Sequence, residues 1–147
     1  MKVSAQILFH SEDTPFTLKK SEKIVNVLLK FIEEEANYCG SINYVFCSDD
    51  YLLKLNQEYL SHDYYTDILS FQMDDEPIQG DIFISIDRVT ENARNLNVPF
   101  EDELYRVISH GVLHFLGYKD KTQEEIQIMR KKEDELIERI KKNQFKI

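Results

Sequence analysis

The stretch from His110 to Asp120, HGVLHFLGYKD, is the tightest constraint on how this chain can fold. In a helix, residues four apart lie on one face about a turn from each other, so His110 and His114 can share one metal ion. Gly117 follows where a helix needs a residue tolerant of positive φ to turn the chain. Asp120 then returns a carboxylate that can approach the same point. Two imidazole nitrogens, one carboxylate oxygen and a fourth position left to water match a catalytic zinc site better than a closed structural one. The plain alternatives are two helix histidines satisfied by local hydrogen bonds, and an Asp120 that merely favours an adjacent helix end.

The rest of the chain must build one frame for that turn. Its 147 residues suit a single domain spanning 1–147, with 42% apolar and 31% charged residues. No run of 18 apolar residues is present and no secretory signal is evident, so no membrane association and a cytoplasmic location are expected. Cys39 and Cys47 suggest neither a disulfide framework nor a tetrathiolate site. The net charge of −9 argues against a surface built for non-specific nucleic-acid binding.

Periodicity gives the elements. Val3, Ala5, Ile7 and Phe9 alternate as a strand with one buried face, and Ile24, Val25, Leu28, Phe31 and Ile32 form a helical stripe between about Lys20 and Ala36. Ser41 to Phe46 reads as a second strand, and Ser48 or Asp49 can cap a helix carrying Leu52, Leu53 and Leu55. Asp67 to Phe71 and Gly80 to Ile86 read as an antiparallel hairpin around a loop from Asp74 to Gln79. Asp87 can cap a helix with Val89, Ala93 and Leu96. Glu101 to Leu116 reads as the largely buried helix bearing both histidines. Thr122 and Glu125 make a capping box for a last helix, with Ile126, Met129, Leu136 and Ile140 on one side and the chain's densest run of positive charge from Arg130 to Lys146. The expected fold is α+β, about four strands in one mixed sheet packed with helices.

His110, Gly111, Leu113, His114, Gly117 and Tyr118 match the HGxLHxxGYDH pattern of the YbeY family of metal-dependent endoribonucleases, which the chain resembles. Leu55, Asn56, Tyr59, Asp63, Thr66, Asp67, Leu69, Ser70 and Phe71, then Gly80, Asp81 and Ile82, match a second family pattern, LNxxYRxxDxPTDVLSF followed by GDI. The resemblance implies a metal helix like that of zinc metalloproteases and one Zn2+ per chain, held by His110, His114 and Asp120. It also implies zinc-dependent cleavage of single-stranded RNA in 16S rRNA 3′-end maturation and ribosome quality control, with ribosomal RNA, the small ribosomal subunit or ribosome-associated proteins as partners. A zinc-activated water is the implied nucleophile, with the general base left open. Departures from the patterns include Asp120 in place of the third histidine, Lys119 in place of an aspartate, and Leu60 in place of an arginine thought to face the cleft.

Asn56, Tyr59, His62, Asp63, Asp67, Ser70 and Lys119 are candidates for lining that cleft or supporting a ligand histidine, although packing and loop capping explain several of them as well. A zinc-binding ribosome assembly factor with little nuclease activity is an alternative. A metalloprotease is disfavoured, because Gly111 stands where HExxH needs its glutamate base.

Overall fold

The computed structural model describes residues 5–35 and 37–142, so Val3, Ala36 and Lys146 of the readings above lie outside the described residues. Nine elements follow in the order β1 (Gln6–Ser11), α1 (Ser21–Glu34), β2 (Cys39–Cys47), α2 (Asp49–Leu60), β3 (Ile68–Asp75), β4 (Ile78–Ser85), α3 (Ile86–Leu96), α4 (Phe100–Phe115) and α5 (Gln123–Lys141). The strands make one mixed sheet ordered β1-β2-β4-β3. β1 and β4 both run parallel to β2, and β3 closes the edge antiparallel to β4.

Two-residue alternation sorts the sheet into two faces. Ile42, Tyr44 and Phe46 of β2 and Ile78, Ile82 and Ile84 of β4 are all but inaccessible, and they join Ile24, Leu28 and Phe31 of α1 and Leu104, Ile108 and Val112 of α4 in the main core. Phe83 and Phe71 point the other way and pack with Tyr51, Leu52 and Leu55 of α2. The Tyr44 hydroxyl is buried but donates to the Ile108 carbonyl at 2.7 Å. That bond avoids the ~1–3 kcal/mol cost of a stranded buried hydroxyl and pins α4 to the central strand. At Gly111 the helix comes so close that a Cβ would stand 2.9 Å from Ile82 Cδ1. Glycine here permits that approach.

Four local readings shift. The loop expected between Asp74 and Gln79 shrinks to a turn at Glu76 and Pro77, because β3 runs on to Asp75 and β4 begins at Ile78. α3 is capped by Ser85, whose hydroxyl accepts from the Arg88 N–H, while Asp87 instead accepts from the Asp49 N–H of α2. Ala5 is exposed, so the buried face of β1 rests on Ile7 and Phe9. Ile126 is 39% exposed, and the inward face of α5 is Met129, Glu133, Leu136, Ile137 and Ile140. The capping box of Thr122 and Glu125 is present as read.

Candidate metal centre

α4 ends in a turn that the sequence dictates closely. Gly117 takes φ 101°, the Tyr118 N–H bonds back to the Leu113 carbonyl and the Gly117 N–H to the His114 carbonyl. This is the paired bonding of a Schellman cap, which only a residue at ease with positive φ completes cheaply. Tyr118 then ties the turn to the end of α1, its hydroxyl donating to Glu35 Oε1 at 2.6 Å. Burial and that partner push the phenol pKa up to about 12, so it stays a donor. Reversed and anchored in this way, the chain brings Asp120 back over the last turn of α4.

Asp120 Oδ2 lies 3.3 Å from His110 Nε2 and 3.3 Å from His114 Nε2. Donor atoms held ~2.0–2.1 Å from a shared tetrahedral zinc stand about 3.3–3.4 Å apart, so the hard oxygen is spaced from each borderline nitrogen as that ion requires. Among the described residues these three form a group able to hold a metal, with all donor atoms within 4.8 Å of one another. Their side chains are 23%, 32% and 40% exposed, which leaves the position reachable from solvent.

His110 is oriented from behind by a residue the sequence reading passed over. Its Nδ1 donates to Glu133 Oε2 at 2.6 Å, leaving Nε2 as the nitrogen that faces Asp120. Glu133 is 4% exposed, and its other oxygen accepts from Arg106 Nη1 at 2.8 Å while Arg106 Nη2 holds Asp134 at 2.7 Å. Burial disfavours the charged imidazole, but the Glu133 bond, together with the charges of Glu133, Asp120 and Asp67, outweighs it and raises the His110 pKa above its ordinary value. A carboxylate behind a ligand histidine fixes its tautomer and strengthens its donor nitrogen. The signal was present in the sequence: Glu133 is spaced four after Met129 and three before Leu136, a charged residue in the apolar stripe of α5.

The other candidates divide. Asp67 sits half-buried beside His110 in a cleft, its carboxyl pKa pushed up by desolvation, with Asn92 Nδ2 at 3.5 Å as its side-chain donor. It does not bond a ligand histidine; Glu133 takes that place. Ser70 is exposed on β3, on the same face as Ile68 and Gln72, and Gln72 donates to the Phe115 carbonyl at the end of α4. Asn56 is buried and donates to the Tyr64 carbonyl, so it braces the loop after α2. Tyr59 is 66% exposed and meets Phe71 edge-on across the opposite face of the sheet. His62 stacks on Tyr64, and Asp63 accepts from Gln57, so loop residues satisfy each other there. Lys119 is exposed at the turn, and Leu60 is 41% exposed at the end of α2.

A family model described as Endoribonuclease YbeY matches residues 6–141, nearly the whole described chain. The chain belongs to the endoribonuclease YbeY family. A protein of that name from Christiangramia forsetii is 50% identical over 133 residues, covering 90% of this chain and 92% of that one. Another from Porphyromonas gingivalis is 40% identical over 134 residues, covering 90% and 89%. The solution structure of TM1509 from Thermotoga maritima superposes with a TM-score of 0.64 at 29% identity, covering 91% of this chain and 88% of that one. A YbeY-family chain thus carries its histidine pair on α4, its aspartate on the following turn and the supporting glutamate on α5. No helix among the described residues is long and apolar enough to cross a membrane.

Proposed function

We propose that this chain is a single-domain, zinc-dependent endoribonuclease of the cytoplasm that cuts single-stranded RNA, with the 3′ end of small-subunit ribosomal RNA as its substrate in maturation and quality control. The observation that carries the reading is the convergence of His110 Nε2, His114 Nε2 and Asp120 Oδ2 on one solvent-reachable point, in a chain of an endoribonuclease family. A closed structural site needs a fourth protein donor, and the group formed by the described residues has three. When bound there, a divalent ion supplies Lewis-acid chemistry, acidifying water and offsetting charge that develops on a phosphoryl oxygen.

The residues of the chain divide the remaining work. Glu133 keeps the proton of His110 on Nδ1 and so reserves Nε2 as a donor. Arg106 neutralises Glu133, which lets that carboxylate stay buried. The Gly117 turn and the Tyr118 anchor hold Asp120 in place. Gly111 faces the sheet against Ile82, so position 111 cannot present the glutamate that peptide hydrolysis by an HExxH route would require.

The test is zinc content and cleavage of small-subunit ribosomal RNA by the wild-type chain beside His114→Ala, under metal-controlled, nuclease-free conditions. Zinc-dependent cleavage lost in the variant is the expected result. Stoichiometric zinc without cleavage, on free RNA and on ribosomal particles alike, would refute the nuclease reading and leave an assembly factor.

A further inference from the structure

Behind His110, away from Asp120, lies a cleft of about 230 Å³, room for one planar ring system. Ile68 and Val107 supply apolar flanks, and Asp67 and Glu103 supply carboxylates. Glu103 stands two turns before His110 on α4, so the same face of that helix lines the cleft and bears the metal-side histidine. It is only 7% exposed, yet its carboxylate makes no hydrogen bond among the described residues. The neighbouring carboxylate, Glu133, has both oxygens occupied by Arg106 and His110. The Glu103 oxygens still reach the cleft, where they stand as open acceptors that a ligand can meet.

The chemistry of the walls narrows that ligand. A second metal ion fits poorly, because the carboxylates of this cleft do not converge as a donor set as His110, His114 and Asp120 do. Two guanidinium groups, Arg106 and Arg130, also share the lining. A phosphate fits poorly against three carboxylates. A neutral, planar, donor-rich group fits the apolar flanks and the open acceptors together. Among nucleobases, guanine presents a ring N–H and an adjacent amino group side by side, the paired donors that a carboxylate accepts in bidentate fashion. Arg130, at the exposed side of the cleft, is placed to meet the sugar-phosphate chain leaving the base.

We propose that this cleft is a base-binding subsite in which Glu103, with Asp67 beside it, reads the Watson–Crick edge of a guanine next to the bond to be cut. The inference rests on the RNA-cleaving reading and deepens it. A base whose pairing edge lies against Glu103 cannot be paired, so the subsite also accounts for a single-stranded substrate.

The experiment is binding of guanosine 5′-monophosphate, inosine 5′-monophosphate and uridine 5′-monophosphate to the zinc-loaded full chain, by calorimetry and by methyl NMR of Ile68 and Val107. Inosine monophosphate lacks only the amino group. The guanosine nucleotide should bind about tenfold or more tightly than the inosine one, the worth of a hydrogen bond to a charged acceptor. Its binding should move the Ile68 and Val107 methyl signals, and Glu103→Gln should erase the preference. Equal binding of the three nucleotides, methyl signals that do not move, or a preference that survives in a folded Glu103→Gln protein would overturn the subsite. Should that variant not fold, the wild-type guanosine-to-inosine ratio and the methyl shifts decide alone. RNA cleaved without guanine preference would sink the subsite and leave the nuclease reading standing. Guanine selectivity in a chain that cleaves no RNA would do the reverse.

Discussion

Two stretches of this chain match one family pattern, and the fold uses them in different ways. The turn after α4 is determined several times over: by the Schellman bonds at Gly117, by Tyr118 on Glu35, and by Glu133 behind His110. The loop from Ser61 to Thr66 is fastened chiefly at its start, where Asn56 holds the Tyr64 carbonyl and the His62 N–H, while His62, Tyr64 and Tyr65 remain exposed. Matching residues alone therefore do not make a site. A site is where buried partners leave each functional atom one direction to face.

That contrast can be broken most severely at Glu133. Glu133→Ala should cost about 3 kcal/mol in denaturant unfolding, near the low end for breaking a buried pair because Asp134 still holds Arg106. It should also weaken zinc binding about 10–100-fold, the range for losing the partner of a ligand histidine. Glu133→Gln, which keeps the shape and an acceptor oxygen, should recover most of the stability.

Gly117→Val comes next. No atom lies within 4 Å of the added Cβ, so the cost is backbone strain alone, about 1–3 kcal/mol. Because the same turn delivers Asp120, zinc affinity should fall with stability. Tyr118→Phe removes one hydrogen bond to a carboxylate and should cost about 1.5 kcal/mol by thermal or denaturant unfolding, the low end for a bond to a charged acceptor because the pair is only part-buried. His62→Ala sharpens the contrast from the other side, with stability within ~0.5 kcal/mol and zinc affinity unchanged. A large loss of zinc binding in His62→Ala would show that the loop reaches the metal after all.

What the sequence made legible follows the range of the forces involved. α1 and α4 are visible in the spacing of Ile24, Leu28 and Phe31 and of Leu104, Ile108 and Val112, because helical periodicity is local. The pairing of His110 with His114, and the turn at Gly117, are local too. The order β1-β2-β4-β3 is not, since pairing β2 with β4 skips a helix and a strand. Glu133 escaped for a related reason. Its position among Met129, Leu136 and Ile140 marks it as inward-facing, but its partner His110 is 23 residues earlier and only tertiary packing brings them together. Ser85 displaced Asp87 as the cap of α3 because Asp87 is drawn off by the first turn of α2, again a contact between distant segments.

The central claim is that Asp120 completes a three-donor metal site with His110 and His114. The most direct measurement is a competitive zinc titration of wild-type protein and Asp120→Ala, with folding of both checked by circular dichroism. One zinc per chain in the wild type and an affinity at least about tenfold weaker in the variant are predicted. Equal affinity in a folded Asp120→Ala protein would contradict the account and return Asp120 to the role of a solvated residue at a helix end.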